Sequence, residues 1–429
     1  MPKQSLHQRL FQRLTDSSPG EVDDDVSANF FRLLLSRTGS KIADRLASPK
    51  TTLAWLLQAL GAPAIFIGVI VPLRESGSLL PQAFLSNYLK RFSKRKWAWS
   101  LGAILQGAAI AGCAVVALTL QGTSAGLAIV GLLVCFSLAR GISSVTAKDV
   151  LGKTIPKSKR GQLTGWAGSA SGMIAVVAAA LLIFVDEERS ITSYAIYLGI
   201  AAAIWWLAAF VHLGISEPEG EVEKKGALSA GLLKQFKLLK TDSDFRDFLI
   251  VRALAIGSGL STPFIIALAH DRLGGAALWL GVFMIVEGLS ATLTGPIWGK
   301  WADRSSRAVL RGAMSLVSLL LLVMVVFSIW VDGDLVNRIF FPVILFLIGA
   351  SHAGVRVGRK TYIVDMAEGD KRTDYVSVGN TLIGVILIIA GVLTGLASLI
   401  SIPVALGIFA VLAALGALYG HRLPSVSEG

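Results

Sequence analysis

Charged side chains are scarce in this 429-residue chain, at 16% of residues. A soluble domain carries about a quarter, so an ordinary soluble globule is excluded. Cysteine is almost absent. Cys113 and Cys135 both fall in apolar runs, which excludes a disulfide framework or a CxxC metal site; both read as small buried apolar residues. The five histidines (His7, His212, His270, His352 and His421) are scattered with no HExxH pattern. No glycine-rich phosphate loop ending in Gly-Lys-Ser/Thr occurs either. These gaps argue against a membrane-embedded enzyme, a resident metal or cofactor, and ATP-driven transport. Residues 1–50 lack the apolar core of a cleavable signal and carry scattered charges, Asp23, Asp24 and Asp25 among them.

What the chain does have is hydrophobic length. Hydrophobic residues make up 54% of it, mean hydropathy is +0.67, and twelve apolar runs divide six and six about a charged stretch from Ser216 to Asp247. About twenty residues at ~1.5 Å rise span a bilayer's hydrocarbon core. The first-half runs are read as spans 53–73, 76–89, 98–120, 125–147, 163–185 and 192–213. The second-half runs are 247–269, 276–297, 308–331, 339–361, 376–398 and 401–420. The fold class expected is an all-α polytopic membrane protein of twelve transmembrane helices in two pseudo-symmetric six-helix bundles. Residues 1–50 form an N-terminal extension, partly amphipathic; 51–213 and 247–421 form the bundles; 214–246 is a linker; 422–429 is a tail. Within the linker, Leu228 to Leu239 has apolar residues at helical spacing, an interfacial helix.

The formal net charge of +12 lies in short loops, which is the mark of orientation in a membrane and not of nucleic-acid binding. With twelve crossings and both termini cytoplasmic, Lys90, Arg91, Lys94, Arg95, Lys96, Lys153, Lys159, Arg160, Lys300, Arg304, Arg307, Lys371 and Arg372 all fall inside. The halves echo one another weakly, Gln58 to Pro63 against Arg252 to Gly257. Internal repeats are a known transporter device, with substrate held near mid-membrane between them.

After span eight, Gly299 is followed at the fourth and fifth positions by Asp303 and Arg304, and then by Arg307. This loop resembles the signature loop of the major facilitator superfamily, and with the span pattern the resemblance covers about residues 50 to 421. It implies a secondary transporter working by alternating access, acting as a single chain, with spans one, four, seven and ten lining a central cavity. Gly299 would give a tight exit from span eight; Asp303 would face a helix's positive end, with Arg304 and Arg307 at the cytoplasmic surface. Such contacts would latch the two halves. The matching first-half loop departs from the pattern, with Lys90 where the family has an acidic residue. The fifth span lacks the proline-glycine signature of drug antiporters and carries Gly165, Gly168 and Gly172 instead, a close-packing spacing.

Ionisable residues inside a span are costly and are functional candidates by default. Glu287, about half-way along span eight, reads as a proton-coupling carboxyl or as a structural one bonded to an adjacent helix. Arg140 in span four reads as its communicating partner, as span-four arginines of the family often are, or as a snorkelling residue. The resemblance brings Gln58, Arg140, Arg252, His352 and Arg356 towards one lumen, and a basic lumen favours an anionic or polar small solute. The expectation is a proton-coupled secondary transporter in a bacterial inner membrane; the alternative is a transporter-like sensor or assembly partner without solute flux.

Overall fold

The computed structural model describes residues 6–15, 23–80, 88–89, 91–184, 191–220, 238–366 and 371–426. Among these every regular element is helical, as lipid demands: a helix satisfies its backbone hydrogen bonds within one segment. The first half contains α1 (Leu6–Thr15), α2 (Asp24–Leu46), α3 (Thr52–Ala59), α4 (Ala64–Leu79), α5 (Lys96–Thr119), α6 (Gly122–Thr154), α7 (Lys157–Phe184) and α8 (Ile191–Leu213). The second half contains α9 (Ser243–Leu254), α10 (Gly257–Leu260), α11 (Thr262–Leu273), α12 (Ala277–Trp330), α13 (Asp334–Met366), α14 (Lys371–Ile400) and α15 (Ile402–Tyr419). Nine helical segments among the described residues are long and apolar enough to cross a bilayer. The pair α2–α3, α4 and α7 run beside them, an arrangement consistent with twelve crossings.

The first crossing differs from the expected 53–73. The chain reverses at Gly61, Ala62 and Pro63, where Gly61 takes φ +66°, a left-handed conformation that costs glycine little. The first crossing is therefore α2 continued by α3, and the second begins with α4. Asp24–Leu46 is no peripheral helix. It packs on α7 and α8, and Asn29 exchanges two hydrogen bonds with the Ser216 backbone at 2.8 and 2.9 Å. Arg37 donates to the Ala147 carbonyl at 2.8 Å, and Ser36 bonds His212, whose ring stacks on Trp99 at 3.9 Å. Half of the expected second span (81–87) lies outside the described residues, as do Lys90 and 221–237, the latter holding most of the expected linker helix.

Within each half, α5 lies between α6 and α8, and α12 packs on α13 and α15. Between halves, α4 crosses α14 and α7 crosses α12. Small residues permit the first crossing. A Cβ at Gly68 would fall 2.6 Å from the Gly395 Cα, and one at Gly391 would fall 2.3 Å from Pro72 Cγ. Gly391 and Gly395 are four apart, the spacing that lets membrane helices touch backbone to backbone. Outward faces expose Val115, Leu127, Phe210, Leu319, Leu393 and Leu418, the apolar surface that a lipid-facing bundle carries.

Candidate functional site

At the end of the molecule marked by the Gly61 reversal, the far end, side chains tie the halves together. Gln58 donates to Asp271 at 2.7 Å. Trp55, fully buried, donates to the Tyr194 hydroxyl at 2.8 Å, and Tyr194 donates to the Gly275 carbonyl at 3.2 Å. Trp55 also meets the His270 ring edge-on at 4.6 Å and the Phe283 ring at 5.9 Å. Deeper in, Ser76 donates to the Gly384 carbonyl at 2.7 Å. The inter-half hydrogen bonds found among the described residues lie from this end to mid-molecule; at the near end, where α5 begins and α8 ends, no ion pair joins the halves among the described residues.

Between the halves lie three adjoining pockets of about 390, 300 and 90 Å³, all lined by Lys50 and Arg356. The largest is lined by Lys41, Asp44, Arg45, Arg74, Glu75 and Glu287 among others. The second adds Arg252, His352, Arg359 and Asn380. Seven cationic side chains (Lys41, Arg45, Lys50, Arg74, Arg252, Arg356, Arg359) thus face three carboxylates (Asp44, Glu75, Glu287). One carboxylate is already taken. Asp44 binds Arg74 at 2.9 Å and also Arg140, which reaches it from α6. Glu75 lies 3.9 Å from Arg74. Lys41, Arg45, Lys50, Arg252, Arg356 and Arg359 have no carboxylate partner among the described residues, nor does Glu287.

The sequence-derived candidates are distributed unevenly. Arg252, His352 and Arg356 line one pocket, where Arg252 donates to Asn380 at 2.8 Å and His352 bonds Ser258 at 3.0 Å. Glu287 lines two pockets with Lys50 and Arg356. Arg140 stands behind the cavity, held by Asp44 and not by Glu287. Gln58 lies in the far-end closure, so the echo of Gln58 with Arg252 does not describe equivalent places. Gly168 and Gly172 sit beside Lys41 and Arg45: a Cβ there would lie 3.6 Å from Lys41 Nζ and 4.0 Å from Arg45 Nη2. The glycine face of α7 makes room for cations of α2.

Arg359 is legible in the sequence as part of the basic inner end of span ten, whereas Asp44, Lys41, Arg45, Lys50, Arg74 and Glu75 do not stand out there as cavity residues. Their signal was the charge itself. Arg37, Lys41, Asp44 and Arg45 recur at three- and four-residue spacing, one stripe of a helix, while Phe30, Leu33, Ile42 and Leu46 are buried. A hydropathy average sees only a polar segment there.

The loop after span eight is built differently from the expectation. The helix continues through Gly299 and breaks at Ser305, whose φ of −160° and ψ of 98° are extended. Arg307 donates to the Leu423 carbonyl at 2.8 Å, a contact within the second half, and Arg304 is exposed. The Asp303 side chain lies outside what is described. In the first half the missing loop acid is supplied from elsewhere. Glu217, with its side chain buried, accepts from the backbone N–H of Arg95 and Lys96 at 3.0 and 2.7 Å and pairs with Lys153 at 3.2 Å. It thereby caps the N-terminus of α5, while Arg95 pairs with Asp149 at 2.5 Å. At the start of α14, Tyr375 donates to Asp242 and stacks on Phe245 at 4.2 Å; burial, then that hydrogen bond, push its phenol up to about 12.

Comparison with known proteins places the fold. The chain superposes on the nucleoside transporter NupG with TM-score 0.68 at 14% identity, covering 92% of this chain and 98% of that one. It superposes on an inward-open xylose transporter XylE from E. coli with TM-score 0.61 at 10% identity, over 93% and 95%. A peptide transporter POT in complex with sulfate gives TM-score 0.68 at 12% identity, over 96% and 97%. At such identities these likenesses show the fold alone. No curated protein matches the chain. The sequence model of the Major Facilitator Superfamily matches residues 42–336, well over half of the chain, with all of the first bundle and about half of the second. The chain belongs to the Major Facilitator Superfamily.

Proposed function

We propose that this protein is a secondary carrier that moves a small anionic solute by alternating access, driven by protons, in a bacterial inner membrane with both termini cytoplasmic. The observation that carries the reading is the charge of the cavity: seven cations against three carboxylates, six of the cations without a carboxylate partner among the described residues. Like charges gathered without counter-ions repel one another, and an anionic solute that supplies the missing counter-charge offsets that cost. The near end carries Lys94, Arg95, Lys96, Lys153, Arg304 and Arg307, so the positive-inside rule places it in the cytoplasm. The closed far end then corresponds to an inward-facing state, the arrangement named for the XylE neighbour.

Glu287 is the coupling carboxyl in this reading. Asp44 is committed to two arginines, whereas Glu287 lines the cavity without a partner among the described residues. Solved neighbours include a D-xylose-proton symporter, which supports proton drive as a mode open to this fold. The test is reconstitution of wild type and Glu287→Gln in vesicles with an imposed proton gradient. Wild type accumulates its anion; the variant only equilibrates it. Full accumulation by Glu287→Gln would remove the carboxyl from the coupling step.

A further inference from the structure

The first crossing is not one helix. α2 ends at Leu46, the chain unwinds through Ala47, Ser48, Pro49 and Lys50, and α3 starts at Thr52. Pro49 explains the break, because it has no N–H to give and disfavours helix at the residue before it. The corresponding crossing of the second half, α9 to α11, is only irregular: Ala255, Ile256 and Ser261 keep right-handed helical dihedrals, so the chain does not unwind there.

The break in the first crossing opens on the smallest pocket, about 90 Å³, lined by Lys50, Thr51, Glu287, Ser290, His352 and Arg356 among others. Thr51 is 1% exposed, lines that pocket, and its hydroxyl has no hydrogen-bond partner among the described residues. Thr52, 0% exposed, also has an unpartnered hydroxyl. Neither caps α3: the N-cap position, Thr51, makes no side-chain cap bond. A buried hydroxyl without a partner costs free energy. At the start of a helix, beside two unpaired cations, a missing acceptor points to an anion, because a helix N-terminus carries positive dipole charge.

We propose that the transported solute is a small organic dianion whose head group binds at this break, accepting hydrogen bonds from Thr51 and the start of α3 and pairing with Lys50 and Arg356. The 90 Å³ pocket is sized for a head group and not for a whole solute, and the adjoining 390 and 300 Å³ pockets take the remainder. Two unpaired cations reaching one pocket match a double charge. Glu287 shares that pocket, so the site lies where coupling was placed; the inference rests on the anion-carrier reading above. Half-helix termini aimed at anionic groups are a working device in other carriers with broken helices.

The test uses the purified full-length protein. Binding is measured by thermal shift with glycerol phosphate and with succinate, which separate a phosphate head from a dicarboxylate. Inorganic phosphate and xylose serve as the inorganic and neutral probes. At least one organic dianion should bind saturably and xylose should not. Thr51→Val and Lys50→Gln should each weaken that binding about tenfold, a lost hydrogen bond or pair to a charged group. Thr51→Ser, which keeps the hydroxyl, should restore it to within about twofold, and this excludes misfolding as the cause. If a dianion binds but neither Thr51→Val nor Lys50→Gln changes its affinity, the head group lies elsewhere and this inference falls while anion transport stands. Binding of xylose without a dianion would overturn both. Binding of inorganic phosphate alone, or of no probe, would overturn the organic dianion.

Discussion

Asp44 organises more of the site than any other single carboxylate. It accepts from Arg74 on α4 and Arg140 on α6 while sitting on α2, so three helices meet at one side chain. Removing one partner of a largely buried pair leaves an uncompensated charge and costs about 3 kcal/mol or more. Asp44→Asn should therefore lower the melting temperature of the purified protein by several degrees. The double variant Asp44→Asn with Arg140→Gln should recover part of that loss, since one of the orphaned cations is gone. An unshifted melting temperature in Asp44→Asn would show that the pairing carries no stability. Asp44 also shows why part of the cavity wall is hidden in the sequence. Glu287, Arg252, His352 and Arg356 were legible because each interrupts an apolar run. Asp44, Lys41, Arg45 and Lys50 interrupt nothing: they are charges among charges, and only their spacing along one helix face marks them as lining a cavity.

At the scale of elements, the later crossings from α5 onward were legible and the first two were not. Runs such as Lys96–Thr119 and Ile402–Tyr419 carry their hydropathy uniformly, so length alone defines them. The first crossing divides its faces between a buried apolar stripe and a cationic cavity wall and is broken at Pro49, which pushed the expected first span towards the Gly61 reversal. The crossing of α4 with α14 is a second element-scale feature, and it was not foreseen because close approach depends on which glycines end up opposite one another. A side chain at Gly391 would meet Pro72 at 2.3 Å. Gly391→Val should separate these helices, where overpacking costs about 1–3 kcal/mol. Because the contact joins the halves, transport should fall by more than tenfold while each bundle stays folded. Wild-type flux in Gly391→Val would show that the close approach is dispensable.

For the molecule as a whole, two bundles meet tightly at the far end through Trp55, Gln58, Tyr194 and Asp271 and enclose a basic cavity between them. The architecture was readable from hydropathy and charge asymmetry, and the existence of a polar lumen from the buried ionisable residues. Its strongly cationic character was only partly readable, because that depends on which helices converge. The central claim is that this cavity is the transport path and opens to one side at a time. Ser48 lines the largest pocket at the helix break, and the two native cysteines, Cys113 and Cys135, can be replaced by alanine. A single Ser48→Cys in oriented vesicles should react with an impermeant thiol reagent from the side of Lys94 and be protected from the opposite side, with a bound dianion slowing the reaction. Labelling from neither side, or at equal rates from both, would contradict the account.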